Sequence, residues 1–347
     1  MTIAKSVYIL SASAVSPQAS FQQMIAEPAV YAGERLTCIE PDYAKYIDAK
    51  LIRRMSRIIK MGMAASMECL SQASVQMPDA IVAGTAYGCL ADTESFLTRM
   101  VEFDETLLSP TAFIQSTHNT VTAQIALQLK CHHYNNTYVH RGSSFEAAML
   151  DAISLIEEGD ARNVLVGAVD EIIEKSHAII RRFGKYKKDG DSSSLFPSGT
   201  KGTMAGEGAA FFMLSPDNEN RQAIARLEAM ASFYKPNQPE EILIRNFLED
   251  NNLSVADIDL VICGKNGDLE NDAHYGHLQQ SLFSDIPFAG YKNFSGEYPT
   301  SVAFAIWMAA NILRHGIHKP GEEAPKRILI YNNYKLQYPA VYLLAAC

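Results

Sequence analysis

RGSSFEAAMLDAISLIEEGDARNVLVGAVDE (residues 141–171) decides the fold. Ser143 and Ser144 offer an N-cap, and Phe145, Met149, Ala152, Leu155 and Ile156 then recur at helical spacing. Gly159 stands where such a helix stops, because glycine enters the left-handed conformation without a Cβ penalty. NVLVGAVDE (163–171) follows at once and is apolar through its middle, the pattern of a strand covered on both faces. A helix feeding into a doubly covered strand is the building unit of layered α/β proteins.

The alternation continues outward in both directions. Ser6 to Ile9 reads as a first strand. Residues 51–75 repeat Leu51, Met55, Ile58, Ile59, Met63 and Met67 as a helix does. DAIVAGTAYG (79–88) and GAAFFML (208–214) read as further buried strands. SPDNENRQ (215–222) is a polar, turn-rich break that divides the chain into halves 1–215 and 216–347. Beyond it the pattern restarts with AIARLEAMASF, a helix over 239–249, the strand DLVICG (259–264), a helix over 300–314 and two last strands. The halves read as loose structural copies without a repeat of fixed period. KYKKDGDSSSLFPSG (185–199) is polar and predicts a solvated flap.

Composition excludes several classes of function. The 347 residues carry 30 Lys and Arg against 39 Asp and Glu, a net charge of −9, which argues against nucleic acid or an anionic membrane as partner. The most apolar run, Ser301 to Leu313, falls short of the roughly 18–20 residues a membrane span needs. MTIAKSVYILSASAVS at the N-terminus reads as a strand and turn rather than a secretory signal. Cysteines at 38, 69, 89, 131, 263 and 347 form no CxxC pair, so reduced thiols and a cytoplasmic location are expected.

Local constellations favour plain readings. SGTKGTMAGEGAA (198–210) matches neither GxxxxGK[ST] nor GxGxxG, and its glycines suit close backbone approach before a buried strand. DAHYGH (272–277), with Asp272, His274 and His277, and CHH (131–133) have no HExxH or CxxC beside them; both read as loops, and neither a metal nor a cofactor is expected. Ser143 or Ser144 as a nucleophile at a helix N-terminus is the sharper alternative to capping.

Seven segments, in order, resemble the β-ketoacyl-acyl-carrier-protein synthases, condensing enzymes of the thiolase fold. They are IRRMSRIIKMGMAAS (52–66), VAGTAYG (82–88), LSPTAFIQSTHNTVTAQIALQLK (108–130), the opening stretch 141–171, MAGEGAAFFML (204–214), NNLSVADIDLVICGKNGDLEND (251–272) and YKNFSGEYPTSVAFAIWMAANIL (291–313). The resemblance implies a five-layer α/β/α/β/α fold of two related halves. It also implies chemistry by a Cys thiolate at a helix N-terminus, assisted by two His residues. Counted without gaps from Ser109, Pro110 and Asn119, the nucleophile position falls on Gly142. The His of HGTGTxxND falls on Gly264 when GKNGDLEND is aligned on Asn271 and Asp272. The His of KSxxGHxxGAAG falls on Glu297, and of that motif Lys292 survives. The condensing site is therefore expected to be dead.

Cys-less members of this family serve as chain-length factors, ketosynthase β-subunits that shape the acyl tunnel of a live partner. This sequence looks like such a subunit and is similar to those of aryl-polyene and flexirubin-type pigment clusters. The resemblance places Thr111, Ala112 and Phe113 at the partner's tunnel. It places the strand Tyr134, Asn135, Asn136, Thr137, Tyr138 and Val139 across the dimer two-fold. The expected partner is an active β-ketoacyl synthase subunit or a second copy, with acyl carrier protein reached through the active partner. Gly142 departs from the Gln that aromatic-polyketide chain-length factors carry, so no decarboxylase role is carried over. Two other readings stay open: an acyltransferase or hydrolase using Ser143 or Ser144 in the old acyl pocket, and a non-catalytic homodimer that binds acyl chains or carrier protein.

Overall fold

The computed structural model describes residues 2–196, 199–218, 223–317 and 323–347; residues 219–222 of the expected break and 197–198 of the expected flap lie outside them. Strands β1 (Thr2–Val15), β2 (Ala80–Gly84), β3 (Tyr134–Tyr138), β4 (Val164–Asp170) and β5 (Gly208–Ser215) come from the first part of the chain. The second part supplies β6 (Ala225–Ser232), β7 (Leu260–Cys263), β8 (Phe288–Gly290), β9 (Arg327–Tyr334) and β10 (Tyr338–Ala345). They hydrogen-bond in the order β3-β2-β4-β5-β1-β6-β10-β9-β7-β8. Read inward from each edge, both sets of five have the same order: third, second, fourth, fifth, first. Pairing repeats as well, with β2 parallel to β3 and β4, and β7 parallel to β8 and β9. The sets meet at an antiparallel β1–β6 pair, with Ile9 opposite Ala225.

Strand periodicity sorts the side chains into layers. In β4, Val164, Val166 and Ala168 face a central core, while Leu165 and Val169 face an outer one. In β9, Ile328 and Ile330 face the same central core, while Leu329 and Tyr331 face the opposite outer one. The helices Ser144–Glu158 and Val302–His315 fill the centre. Arg57–Gln72 and Thr120–Leu129 cover one outside, and Glu240–Asp250 and Leu269–Ser281 the other. This is the five-layer α/β/α/β/α architecture. Val302–His315 is apolar almost all round because it lies between sheets, and each of its fully buried aliphatic or aromatic side chains contributes about 1.5–3 kcal/mol.

Several expectations are corrected. The first strand runs Thr2–Val15 rather than Ser6–Ile9; Ser11 is tolerated inside because its hydroxyl donates to the Cys69 carbonyl at 2.7 Å. The 51–75 helix is two elements, Ala49–Ile52 and Arg57–Gln72, with Ser56 at the second N-cap. DAHYGH lies on the helix Leu269–Ser281, capped by Asp268, not in a loop. The described part of the expected flap is anchored rather than wholly solvated: Lys187, Ser192 and Leu195 are buried, Tyr186 stacks on His177, and Lys187 Nζ donates to Thr200 Oγ1 at 2.6 Å.

Candidate functional site

Gly84, at the end of β2, lets the central helix begin close against the sheet, for a Cβ there would lie 2.5 Å from the Ser144 carbonyl. After β3 the chain turns through Arg141, which is left-handed at φ 55°, into a single 3-10 turn over Arg141–Ser143. Ser144 stitches this turn, accepting from the His140 amide and donating to the Arg141 carbonyl, each at 2.8 Å. Its hydroxyl is thus consumed and fully buried. Ser143 occupies the N-cap position without a side-chain capping bond. Among the described residues, no imidazole or carboxylate is hydrogen-bonded to either serine hydroxyl.

Gly142 is buried in the turn, and its missing side chain has nowhere to go. A Cβ would lie 2.6 Å from Tyr334 Cδ1 and 3.0 Å from the Tyr338 ring. The same holds at Gly264, where a Cβ would lie 2.2 Å from Asn332 Oδ1 and 2.7 Å from the Tyr275 hydroxyl. Tyr334 and Asn332 share one face of β9, and Tyr338 on β10 is the cross-strand partner of Tyr334. The hairpin that presents both tyrosines turns through Lys335 and Leu336, each at φ 54°. Such left-handed backbone costs about 1–2 kcal/mol per non-glycine residue.

The third position is charged but neutralised. Glu297 Oε2 accepts from Lys292 Nζ at 2.8 Å and from Asn266 Nδ2 at 2.7 Å, with Lys292 only 1% exposed. Backbone bonds pin Glu297 in place: its amide donates to the Met204 carbonyl, and its own carbonyl accepts from Gly206. Of the glycines in the 198–210 segment, Gly206 allows the close approach expected, since a Cβ there would lie 2.2 Å from the Ser295 carbonyl. The three positions converge at the end of β9. Burial raises the Tyr334 phenol, with the nearby Tyr87 and Glu297 adding to it. Burial lowers the Lys335 ammonium, and the charges of Lys185 and Arg141 push the same way against Glu297. Cys263, beside Gly264, is fully buried, and burial pushes its thiol up to about 12, which leaves it protonated.

Asp170 links this turn to the second half. Its carboxylate accepts from Thr300 Oγ1 at 2.7 Å, the Ala86 amide at 2.8 Å and Thr85 Oγ1 at 3.1 Å. Burial nonetheless pushes it up to about 6.

The remaining sequence candidates sit elsewhere. Thr111, Ala112 and Phe113 lie on the short helix Pro110–Gln115; Thr111 and Phe113 are exposed, and the Phe113 ring meets Phe96 at 5.6 Å. β3 ends the sheet and carries Tyr134, Asn135, Asn136, Thr137 and Tyr138, with Val139 just beyond it. Thr137 and Asn135 bond to Thr122 on the Thr120–Leu129 helix. His277 pairs with Glu241 at 2.7 Å, and no cluster of three or more potential metal ligands occurs among the described residues. All six cysteines are unpaired and five are buried. No helix of the described residues is long and apolar enough to cross a membrane. The fillers Tyr334, Tyr338, Asn332 and Tyr275 went unseen in the sequence; the polar run Asn332–Asn333 inside a buried strand was the one signal available.

The fold is that of the ketosynthases. The ishigamide ketosynthase/chain length factor aligns with TM-score 0.81 and 14% identity over 99% of each chain. A β-ketoacyl synthase from Burkholderia phymatum gives 0.82 and 15% over 99% of this chain and 100% of that one. AntDE:AntF, a type II PKS acyl-carrier protein in complex with its ketosynthase bound to the hexaketide, gives 0.72 and 16% over 99% and 100%. No curated protein matches the sequence. Residues 35–185 match the family model described as "Beta-ketoacyl synthase, N-terminal domain", so that stretch is similar to the β-ketoacyl synthases.

Proposed function

We propose that the chain is a catalytically degenerate β-ketoacyl synthase homologue that partners an active ketosynthase as a chain-length factor, in fatty-acid or polyene synthesis. One observation carries the reading: the space that a Cys at 142 and a His at 264 need is occupied by Tyr334 and Asn332. A site that had only lost its reacting groups would leave a hole; this one is filled. Ser144 supports the same reading, because its hydroxyl closes a turn instead of facing substrate.

The partner meets the β3 edge, and Thr111, Ala112 and Phe113 face its tunnel, with the halves 1–215 and 216–347 acting as one rigid support. Acyl carrier protein reaches the complex through the active subunit. In this reading the complex works in the cytoplasm, and this subunit needs no cofactor or metal of its own.

Native mass spectrometry of the tagged chain purified from its host tests the partnership. A one-to-one complex with a Cys-bearing synthase is expected, and a homodimer alone sinks the chain-length reading. In the reconstituted pair, Ala112→Phe is expected to shorten the product. Unchanged length would remove Ala112 from the tunnel.

A further inference from the structure

β1 pairs with β5 as far as Val15, but with β6 only as far as Ile9, whose carbonyl accepts from the Ile224 amide at 2.8 Å. Past Ile9 one edge of β1 has no strand beside it, and there Ala12–Val15 line a cavity of about 380 Å³. Among the described residues, Ala12, Ser13 and Ala14 make no backbone hydrogen bond outside the sheet. Successive residues of a strand turn their N–H and C=O groups to opposite sides. At least one of the three therefore presents a free donor and a free acceptor to the open edge.

Two helices wall the cavity from either side of β1. Arg57–Gln72 contributes Glu68, whose carboxylate is oriented by neutral donors: the Tyr46 hydroxyl to Oε2 and Gln72 Nε2 to Oε1, each at 2.9 Å. Val302–His315 contributes Arg314. Among the described residues no cation pairs with Glu68 and no carboxylate pairs with Arg314. The cavity thus carries one acid and one base, neither neutralised by the described chain. Phe21, stacked on His315 at 5.7 Å and edge-on to Trp307 at 5.9 Å, gives it an aromatic flank. Ser13 and Asn311 also line it, each only 7% exposed. Asn311 Nδ2 is engaged by the Trp307 carbonyl at 2.8 Å, which leaves its Oδ1 open.

We propose that this cavity binds a small zwitterion, an α-amino acid with an apolar or aromatic side chain. Arg314 takes the carboxylate, Glu68 the ammonium, and the β1 edge with Asn311 the remaining hydrogen bonds, while Trp307 and Phe21 flank the side chain. A lone anion would meet Glu68 and a lone cation would meet Arg314, so paired charge suits this lining better than either. The volume is at the small end of ligand pockets, which run from roughly 300 to 1,000 Å³; it admits one amino acid and excludes a carrier protein. β5, β4 and β2 separate β1 from the β3 edge, and the inference does not rest on the partner role.

Isothermal titration of the whole chain with L-phenylalanine, L-tryptophan and L-leucine tests it. Saturable one-to-one binding of at least one of them is expected. The analogues of that amino acid lacking the ammonium or the carboxylate should each bind at least about tenfold more weakly. These comparisons use the wild type and need no variant. Arg314→Met and Glu68→Gln chains that melt like the wild type should each lose at least about tenfold in affinity for the same amino acid. Absence of saturable binding by all three amino acids would overturn the proposal. So would an analogue with one charge that binds as tightly as its parent, or a folded variant of either residue with unchanged affinity.

Discussion

Two regions of this molecule handle side-chain volume in opposite ways. Inside, Tyr334, Tyr338, Asn332 and Tyr275 fill the space beside Gly142 and Gly264. Along the segment after β2, large apolar side chains stand in the open: Val101 is 77% exposed, Leu107 85%, Ile114 59% and Phe113 56%. Leu107 is also held at φ 56°, close to Asp104 and Glu105 at 46° and 61°, strained positions for residues other than glycine. A filled interior is favoured, since every void forfeits contacts. A surface left apolar and strained fits the proposed partner contact.

The largest test breaks the interior. Glu297→Gln leaves the Lys292 charge buried and unpaired, and urea unfolding should report a loss of about 3–5 kcal/mol. The double replacement Lys292→Met with Glu297→Leu removes both charges and should recover most of that loss. If Glu297→Gln were neutral, the interior would not be a closed, paired site. Next comes Asp170, whose carboxyl sits at about 6 in the fold, above its ordinary 3.8. A raised carboxyl favours the folded state while it is protonated, so its contribution is full below about 4 and is lost as pH rises through about 6. Against Asp170→Asn, the wild type should therefore lose on the order of 3 kcal/mol of relative stability between pH 4 and 7. Gly142→Ala should cost about 1–3 kcal/mol through overpacking against Tyr334. Adding Tyr334→Ala should make the two effects non-additive, since the second change removes the clash. Simple additivity would mean that Tyr334 does not fill this space.

The sequence announced the architecture more fully than the site. Val164, Val166 and Ala168 alternating with Leu165 and Val169, and the helical repeat from Phe145 to Ile156, are local patterns, and local patterns survive into the fold. Leu269–Ser281 escaped notice because it carries no broad apolar stripe, with only Tyr275 and Leu278 among its apolar residues buried. Gly142, Gly264 and Glu297 were picked out by alignment to the family motifs. What packs against them could not be, because the Tyr334–Gly142 contact joins positions far apart in the chain, and nothing in a lone Tyr says what it will touch.

The smallest effect on stability carries the sharpest test of the comparison. Leu107 is so exposed that Leu107→Asp should change the folding free energy of the isolated chain by no more than about 0.5 kcal/mol. If Leu107 belongs to the proposed partner contact, the same change would put a carboxylate into that apolar contact, where desolvation penalises it heavily. Unfolding midpoint and assembly should thus come apart: unchanged melting in urea, with the partner lost in native mass spectrometry or size-exclusion chromatography. A Leu107→Asp chain that still assembles would remove this ridge from the interface and leave the β3 edge as the surface to probe. A chain that loses both would show that Leu107 supports its own fold, and the opposition between filled interior and open surface would no longer hold at that residue.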